Sequence, residues 1–222
     1  MTETRVWLCR HAETATPLVF HGAESDEVLS PLGRQQALAA AEWFCDKTID
    51  VVVSSIMRRA VETARPVARA CGRSIHTEEQ LHERRVGALC GTSFSLSAGP
   101  WVETLEHWTA GHTAFTTPGA ESYNDLVARL LPAWQRIIEQ HQGRRIVVVC
   151  HGIVVKVLLL TVLKGWGPSR WHELGRVANL AVSEITASSP NEWTAVSLLS
   201  VPPVVMQVNE NAAASAVGKS EA

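Results

Sequence analysis

A chain of 222 residues, 46% of them apolar and 19% charged, has the make-up of one ordinary globular domain that can bury a substantial core. A formal net charge of −2 excludes a protein built to coat nucleic acid or an anionic membrane, so any anion-binding surface must be local. The longest apolar run, IVVKVLLLTVL at 153–163, contains Lys156 and is too short to span a bilayer.

In chain order the pattern alternates strand and helix. A short apolar strand at 6–9 ends abruptly in Arg10-His11-Ala12. A loop follows, and then LSPLGRQQALAAAEWFC, in which Ser30 can cap a helix whose first residue is Pro31. DVVVSS at 50–55 is a second strand, leading into a helix over about 57–71 that carries Pro66, where a kink is expected, and stops at Gly72. After an extended piece around 74–77, the stretch 81–120 is rich in Gly, Ser, Thr and His and is expected to be an irregular insertion over the site.

Helical periodicity returns with Leu126, Leu130, Trp134 and Ile137 or Ile138, and ends at Gly143. RRIVVVC then reads as a buried parallel strand, followed by an apolar helix after His151. The period-two segments 178–185 and 192–200 predict a closing hairpin, and the Ala, Ser, Glu and Asn tail at 209–222 is expected to be disordered. The sum is an α/β, three-layer sandwich: a mainly parallel sheet covered by helices on both faces, in one domain over 1–208, with 81–120 as a cap over the carboxyl ends of the strands. Ligands of such sheets bind beyond those ends, where the strand order reverses.

Five cysteines, Cys9, Cys45, Cys71, Cys90 and Cys150, form no C-x-x-C, and the nine histidines show no zinc-type spacing. With no secretory signal at the charged N-terminus, the expectation is reduced thiols, a cytoplasmic location and no metal.

Two apolar strands end alike, VWLC in Arg10-His11 and IVVVC in His151-Gly152, so that two histidines and an arginine converge if the strands are neighbours. A small residue after each histidine leaves room for a ligand near backbone N–H groups. SSIMRRAVETA at 54–64 again sets charge at a helix start, and an arginine fork there suits phosphate; residue types alone do not choose between Arg58 and Arg59. LHERRVGALCG at 81–91 adds a loop carboxylate, Glu83.

Six stretches in order, LCRHAET, LSPLGRQQA, SSIMRRAVETA, LHERRVGALCG, TPGAESYNDLVAR and VVVCHG, make the chain resemble the histidine phosphatase superfamily, in particular its phosphoglycerate-mutase-like branch. The resemblance assigns the family arginine to Arg59, the residue directly before Ala, and leaves Arg58 as a surface residue. It implies that Arg10, Arg59 and His151 hold the phosphate, that His11 is the nucleophile and that Glu83 is the proton donor. Such chemistry stabilises transition-state charge with fixed cations, so neither metal nor other cofactor is implied. The expected activity is hydrolysis of a small phosphorylated substrate through a phosphohistidine.

Two alternatives come from different classes: a cofactor-dependent phosphoglycerate mutase and a catalytically silent phospho-ligand binder. LHERRVGALCG and RLLPAW are similar to mutase patterns. VETLEHWTAGHTAF, however, holds no arginine where mutases carry two, HGIVVK stands for H-G-N-S-x-R, and Pro17 occupies the position of an early phosphate-positioning asparagine. Ala12 for the commoner Gly keeps that position small. Within 92–120, Phe94, Trp101, Trp108, Phe115, His107 and His112 are expected to form a small core of the insertion, with stacking on a leaving group as the alternative. Arg84 or Arg85 could reach an acidic substrate. The physiological substrate and the oligomeric state stay open.

Overall fold

The first strand, β1 (Thr4–Arg10), is apolar on both sides because it lies inside the sheet: Val6 and Leu8 enter one core, and Trp7 and Cys9 the other. The structure is a computed structural model that describes residues 3–93, 99–189 and 192–220. β1 pairs in parallel with β4 (Arg145–Cys150), with Arg5 opposite Arg145 and Arg10 opposite Cys150. On its other side it pairs antiparallel with β5 (Val182–Ala187), which forms a hairpin with β6 (Trp193–Ser200).

β2 (Val51–Ser55) flanks β4 and β3 (Ile75–Glu78) flanks β2, both in parallel, giving the order β3-β2-β4-β1-β5-β6. Chain order therefore reverses around β1 and β4. Their register makes His11 and His151 leave the sheet side by side.

Helices cover both faces, as the α/β pattern predicts. On one lie α1 (Pro31–Cys45), α2 (Arg58–Ala70) and α6 (Pro203–Ser220); on the other lie α3 (Pro100–Thr109), α4 (Tyr123–Gln140) and α5 (Gly152–Val162). The Ser30 side chain caps α1 by accepting from Gly33 N at 2.8 Å, with Pro31 behind it. Gly33, Gln36, Ala37, Ala40, Ala41 and Phe44 then recur at helical spacing on the buried side.

Gly33 is required: a Cβ there would lie 2.0 Å from the carbonyl oxygen of Glu13, so α1 packs directly on the loop that leaves His11. α4 opens on a capping box between Ser122 and Asp125. α5 is apolar nearly all round because it is buried nearly all round, and each such Val or Leu contributes about 1.5–3 kcal/mol. Among the described residues, no helix is long and apolar enough to cross a membrane.

Two expectations are corrected. The stretch 81–120 is not wholly irregular, since Pro100 opens α3, whose Trp101 and Trp108 face inward. The tail expected to be disordered from 209 continues α6 to Ser220: Val205 is buried against the α1 side, and Gln36 Nε2 donates to Asn209 Oδ1 at 2.7 Å. Alanines beyond that point favour the helix without needing a buried face.

Candidate active site

The residues singled out in the sequence converge where β1, β2 and β4 end. His11 N donates to Cys150 O at 2.9 Å, and the His11 and His151 rings lie 5.2 Å apart between centroids. His11 is 5% exposed, Glu83 8%, and Arg59 and His151 are fully buried. Arg10, His11 and Glu83 line a cavity of about 460 Å³, while Arg59 and His151 stand behind its wall.

Hydrogen bonds fix both imidazoles. His11 Nδ1 lies 2.6 Å from Ala12 O; a carbonyl only accepts, so Nδ1 carries the proton and the Nε2 lone pair is left free. Arg59 Nε donates to His151 Nδ1 at 3.3 Å, which puts the His151 proton on Nε2, 2.8 Å from Ser55 Oγ. Burial, then Arg59, push both histidines well below the ordinary value, so both are neutral near pH 7. His151 is therefore a neutral donor.

The arginines are held by backbone carbonyls. Arg10 Nη1 donates to Val177 O at 2.7 Å, and its buried Nε has no hydrogen-bond partner among the described residues. Arg59 donates to Ser25 O at 2.7 Å and to Gly22 O at 3.3 Å, so the loop between Thr14 and Leu29 folds over it. Burial lowers Arg10 to about 10, with Glu83 opposing and Arg176 and Arg59 adding to the fall; burial lowers Arg59 as well. Crowded, desolvated cations with one carboxylate near them favour an anion.

Arg58 points away with its side chain 61% exposed, as expected. The start of α2 is not open to a ligand, because Asp26 Oδ1 accepts from Arg58 N at 2.7 Å. Ala12 N is likewise taken, donating to Thr63 Oγ1 at 3.0 Å.

Glu83 sits against the start of α5. Its Oε1 accepts from Arg84 N at 2.9 Å and its Oε2 from Ile153 N at 3.4 Å. Arg129 buttresses this loop from α4, donating to Glu83 O at 3.3 Å while its Nε pairs with Glu121 at 2.7 Å. Glu121 is held below the ordinary glutamate value: burial alone would raise it, and Arg129 outweighs burial.

Neither Arg84 nor Arg85 reaches the cavity. Arg84 is buried over the Trp101 and Trp108 rings and bonds Glu121 O, and Arg85 is exposed. Trp108 donates to Phe115 O and meets Trp101, Tyr123 and Trp171 edge to face, while His107 stacks on Phe115 and lies edge-on to His112. Of the rings expected to form a core of the insertion, Trp101 and Trp108 are buried in the main core with Tyr123 and Trp171, whereas His107 and Phe115 are half-buried and His112 is exposed; Trp101 and Trp171 line the cavity, and Phe94 lies outside the described residues. Sequence reasoning missed Phe20, Lys156, Trp171, Arg176 and Val177 of the lining, and Ser55 and Arg129 behind it.

The sequence profile described as "Histidine phosphatase superfamily (branch 1)" matches residues 6–199. "Phosphoglycerate mutase-like protein 4" of Arabidopsis thaliana is 33% identical over 172 residues, 76% of this chain and 73% of its own. "Metal-independent phosphoserine phosphatase" of the same plant is 30% identical over 207 residues, 89% and 84% of the two chains. Of longer Mycobacterium tuberculosis relatives at 30% identity the chain spans about half the length, 51%. A solved structure of mycobacterial glucosyl-3-phosphoglycerate phosphatase superposes with a TM-score of 0.78 at 24% identity, over 89% of this chain and 99% of that one.

Proposed function

The chain belongs to the histidine phosphatase superfamily, branch 1, and from that premise we propose that it is a metal-independent phosphomonoester hydrolase acting through a phosphohistidine on His11. The observation that carries this reading is the His11 tautomer: the Nδ1 proton is spent on Ala12 O, leaving the Nε2 lone pair free on a residue that lines the same cavity as Arg10.

In the first step His11 Nε2 forms a bond to phosphorus as the ester P–O bond breaks. The departing oxygen takes the electron pair of that bond and a proton from Glu83. In the second, Glu83 removes a proton from water, the water oxygen attacks phosphorus, and the N–P bond breaks to return neutral His11 and inorganic phosphate. Arg10 and Arg59, held by Val177 O and Ser25 O, stabilise charge on the equatorial oxygens, and the His151 Nε2–H joins them by exchanging its bond to Ser55 Oγ for one to the phosphate. Fixed cations do the work a metal does in other phosphatases, and the name of the Arabidopsis metal-independent phosphoserine phosphatase is in line with that.

A mutase must also grip a substrate carboxylate from the cap, and α3 with the segment to Phe115 contains no arginine. The test is incubation in EDTA with a panel of phosphomonoesters that includes 3-phosphoglycerate, following free phosphate and isomerisation together. Phosphate release that disappears in His11→Ala, with an acid-labile phosphoryl label on wild-type protein, is the expected result. Isomerisation outrunning release would replace this reading with the mutase, and saturable binding without turnover with the silent binder.

A further inference from the structure

The cavity beyond His11 carries a second cation that the phosphoryl chemistry does not use. Lys156 rises from the middle of α5 among Val154, Val155, Val157 and Leu158, and is only 7% exposed. Its ammonium donates to Gly175 O at 2.7 Å and lies 4.6 Å from the centre of the Trp171 ring. Among the described residues no carboxylate pairs with it. Lysine is rarely buried without a counter-charge, and a carbonyl and a ring face leave part of its donor capacity unused. Burial accordingly lowers Lys156 to about 8.

Two features tie this cation to the site. Lys156 lines the same cavity as Arg10 and His11, and Arg10 is anchored on Val177 O, two residues beyond the anchor of Lys156. Carbonyls two residues apart place the two cations on the order of 10 Å from each other. Glu83 is the one carboxylate among the described lining residues, against Arg10, Lys156 and the exposed Arg176. Phe20, Trp101, Leu105, Ile153, Trp171 and Val177 make much of the remaining wall apolar, and the volume suits a small ligand.

We propose that Lys156 is a specificity-determining residue: it supplies the counter-charge for an anionic group, carboxylate or second phosphate, on the leaving group of a phosphomonoester whose body is apolar or aromatic. This deepens the phosphatase reading and rests on it. With the phosphate at Arg10 and its ring or chain against Trp101 and Trp171, such a substrate brings its far end to the ammonium that has no other anion. An amide or an unsubstituted ring in the same place leaves that charge buried and unpaired.

The test compares para-carboxyphenyl phosphate with para-carbamoylphenyl phosphate, and hydroquinone bisphosphate with phenyl phosphate, on wild type, Lys156→Met and Lys156→Arg. The same esters are titrated calorimetrically into His11→Ala, with and without Lys156→Met. Wild type should favour at least one anionic ester over its neutral partner by about tenfold or more in kcat/KM, expressed in KM. The favoured arm identifies carboxylate or phosphate. Lys156→Met should collapse that ratio and Lys156→Arg retain most of it, which a merely structural lysine would not do. Wild-type ratios near one in both arms, or an unchanged ratio in Lys156→Met, overturn the proposal. If wild type releases phosphate from none of the esters, the phosphatase reading fails instead. The subsite is then decided by whether the anion preference in the His11→Ala titration is lost with Lys156→Met.

Discussion

Arg59 donates from Nε to Nδ1 of His151 at 3.3 Å, so two fully buried side chains 92 residues apart set each other's state. Burial, and then the guanidinium, keeps the imidazole neutral, and the Arg59 hydrogen bond turns its proton toward Ser55. Arg59→Lys loses the fork that also holds Ser25 O and Gly22 O. Its kcat should fall about 10²-fold or more, the scale for removing a preorganised charge-stabilising donor. Steady-state kinetics beside a thermal melt reads this; a folded variant within about threefold of wild type would place Arg59 outside the reaction.

Neutral His11 and His151 make stability depend on pH in a fixed direction. An unfolded histidine takes up its proton near about 6.5. Burial, then Arg59, hold both folded groups well below that. As pH falls through this window the unfolded chain binds protons that the folded chain refuses. Their contribution is therefore complete above about 6.5 and is lost on acidification, by up to about 1.4 kcal/mol per pH unit for each group. Urea unfolding across pH 5 to 8 should show a shallower loss for His11→Asn than for wild type, and equal slopes would contradict it.

Arg129 acts on Glu83 through the backbone. Replacing it by Gln removes the donor to Glu83 O and leaves the half-buried Glu121 without its ion-pair partner, with Arg85 N still donating to it. Breaking a fully buried pair from one side costs about 3–5 kcal/mol, and this half-buried pair should cost less than that; Glu121→Gln keeps a polar partner and should cost less still. If Glu83 is the proton donor proposed above, both variants should blur the limb of the pH–rate profile assigned to it, while KM moves less than kcat. A change confined to KM would show that the loop serves binding alone.

Gly33→Ala drives a Cβ to 2.0 Å from the Glu13 carbonyl. Backbone on one side and a helix on the other leave little room to yield, so a loss of about 1–3 kcal/mol or more is expected. Because Glu13 is two residues from His11, kcat should fall with stability. Differential scanning calorimetry and kinetics on one preparation check both.

Cys9 lies just before Arg10-His11 and Cys150 just before His151 in sequence, yet both are buried and burial pushes both thiols up, so neither is a ready thiolate. Iodoacetamide at pH 8 should label exposed Cys45 first and leave activity intact. Mass spectrometry showing early modification of Cys9 or Cys150, with inactivation, would overturn this.

Much of the fold and the candidate site was legible because it is written locally. Strands buried on both sides read as apolar runs, Ser30-Pro31 marks a helix start, and the parallel ends Arg10-His11 and His151 announce a shared crevice. What was not legible depends on contacts between distant segments. Asp26 takes the start of α2, and Arg84 turns from solvent to the Trp101 and Trp108 rings; neither follows from the sequence around it. The tail misled because its composition is that of a disordered segment, while Val205 and Asn209 find partners on α1 only in three dimensions. Lys156 does leave a signal, a lone charge inside IVVKVLLL, but in the sequence it reads only as a bar to a membrane span and as a departure from the mutase pattern H-G-N-S-x-R, not as part of a cavity wall.

β1 leads directly into His11, but both of its hydrogen-bonded neighbours, β4 and β5, are built from residues after 144. During synthesis His11 thus emerges well before the strands that enclose it. Until β5 is added, β1 has an open edge, and Arg10 lacks the Val177 carbonyl that holds it for as long as the segment before β5 is missing. Such non-local pairing is slow and exposes strand edges on the way. A nascent chain halted before residue 182 should therefore engage chaperones rather than phosphate, and phosphate should protect from proteolysis only chains long enough to contain the final hairpin.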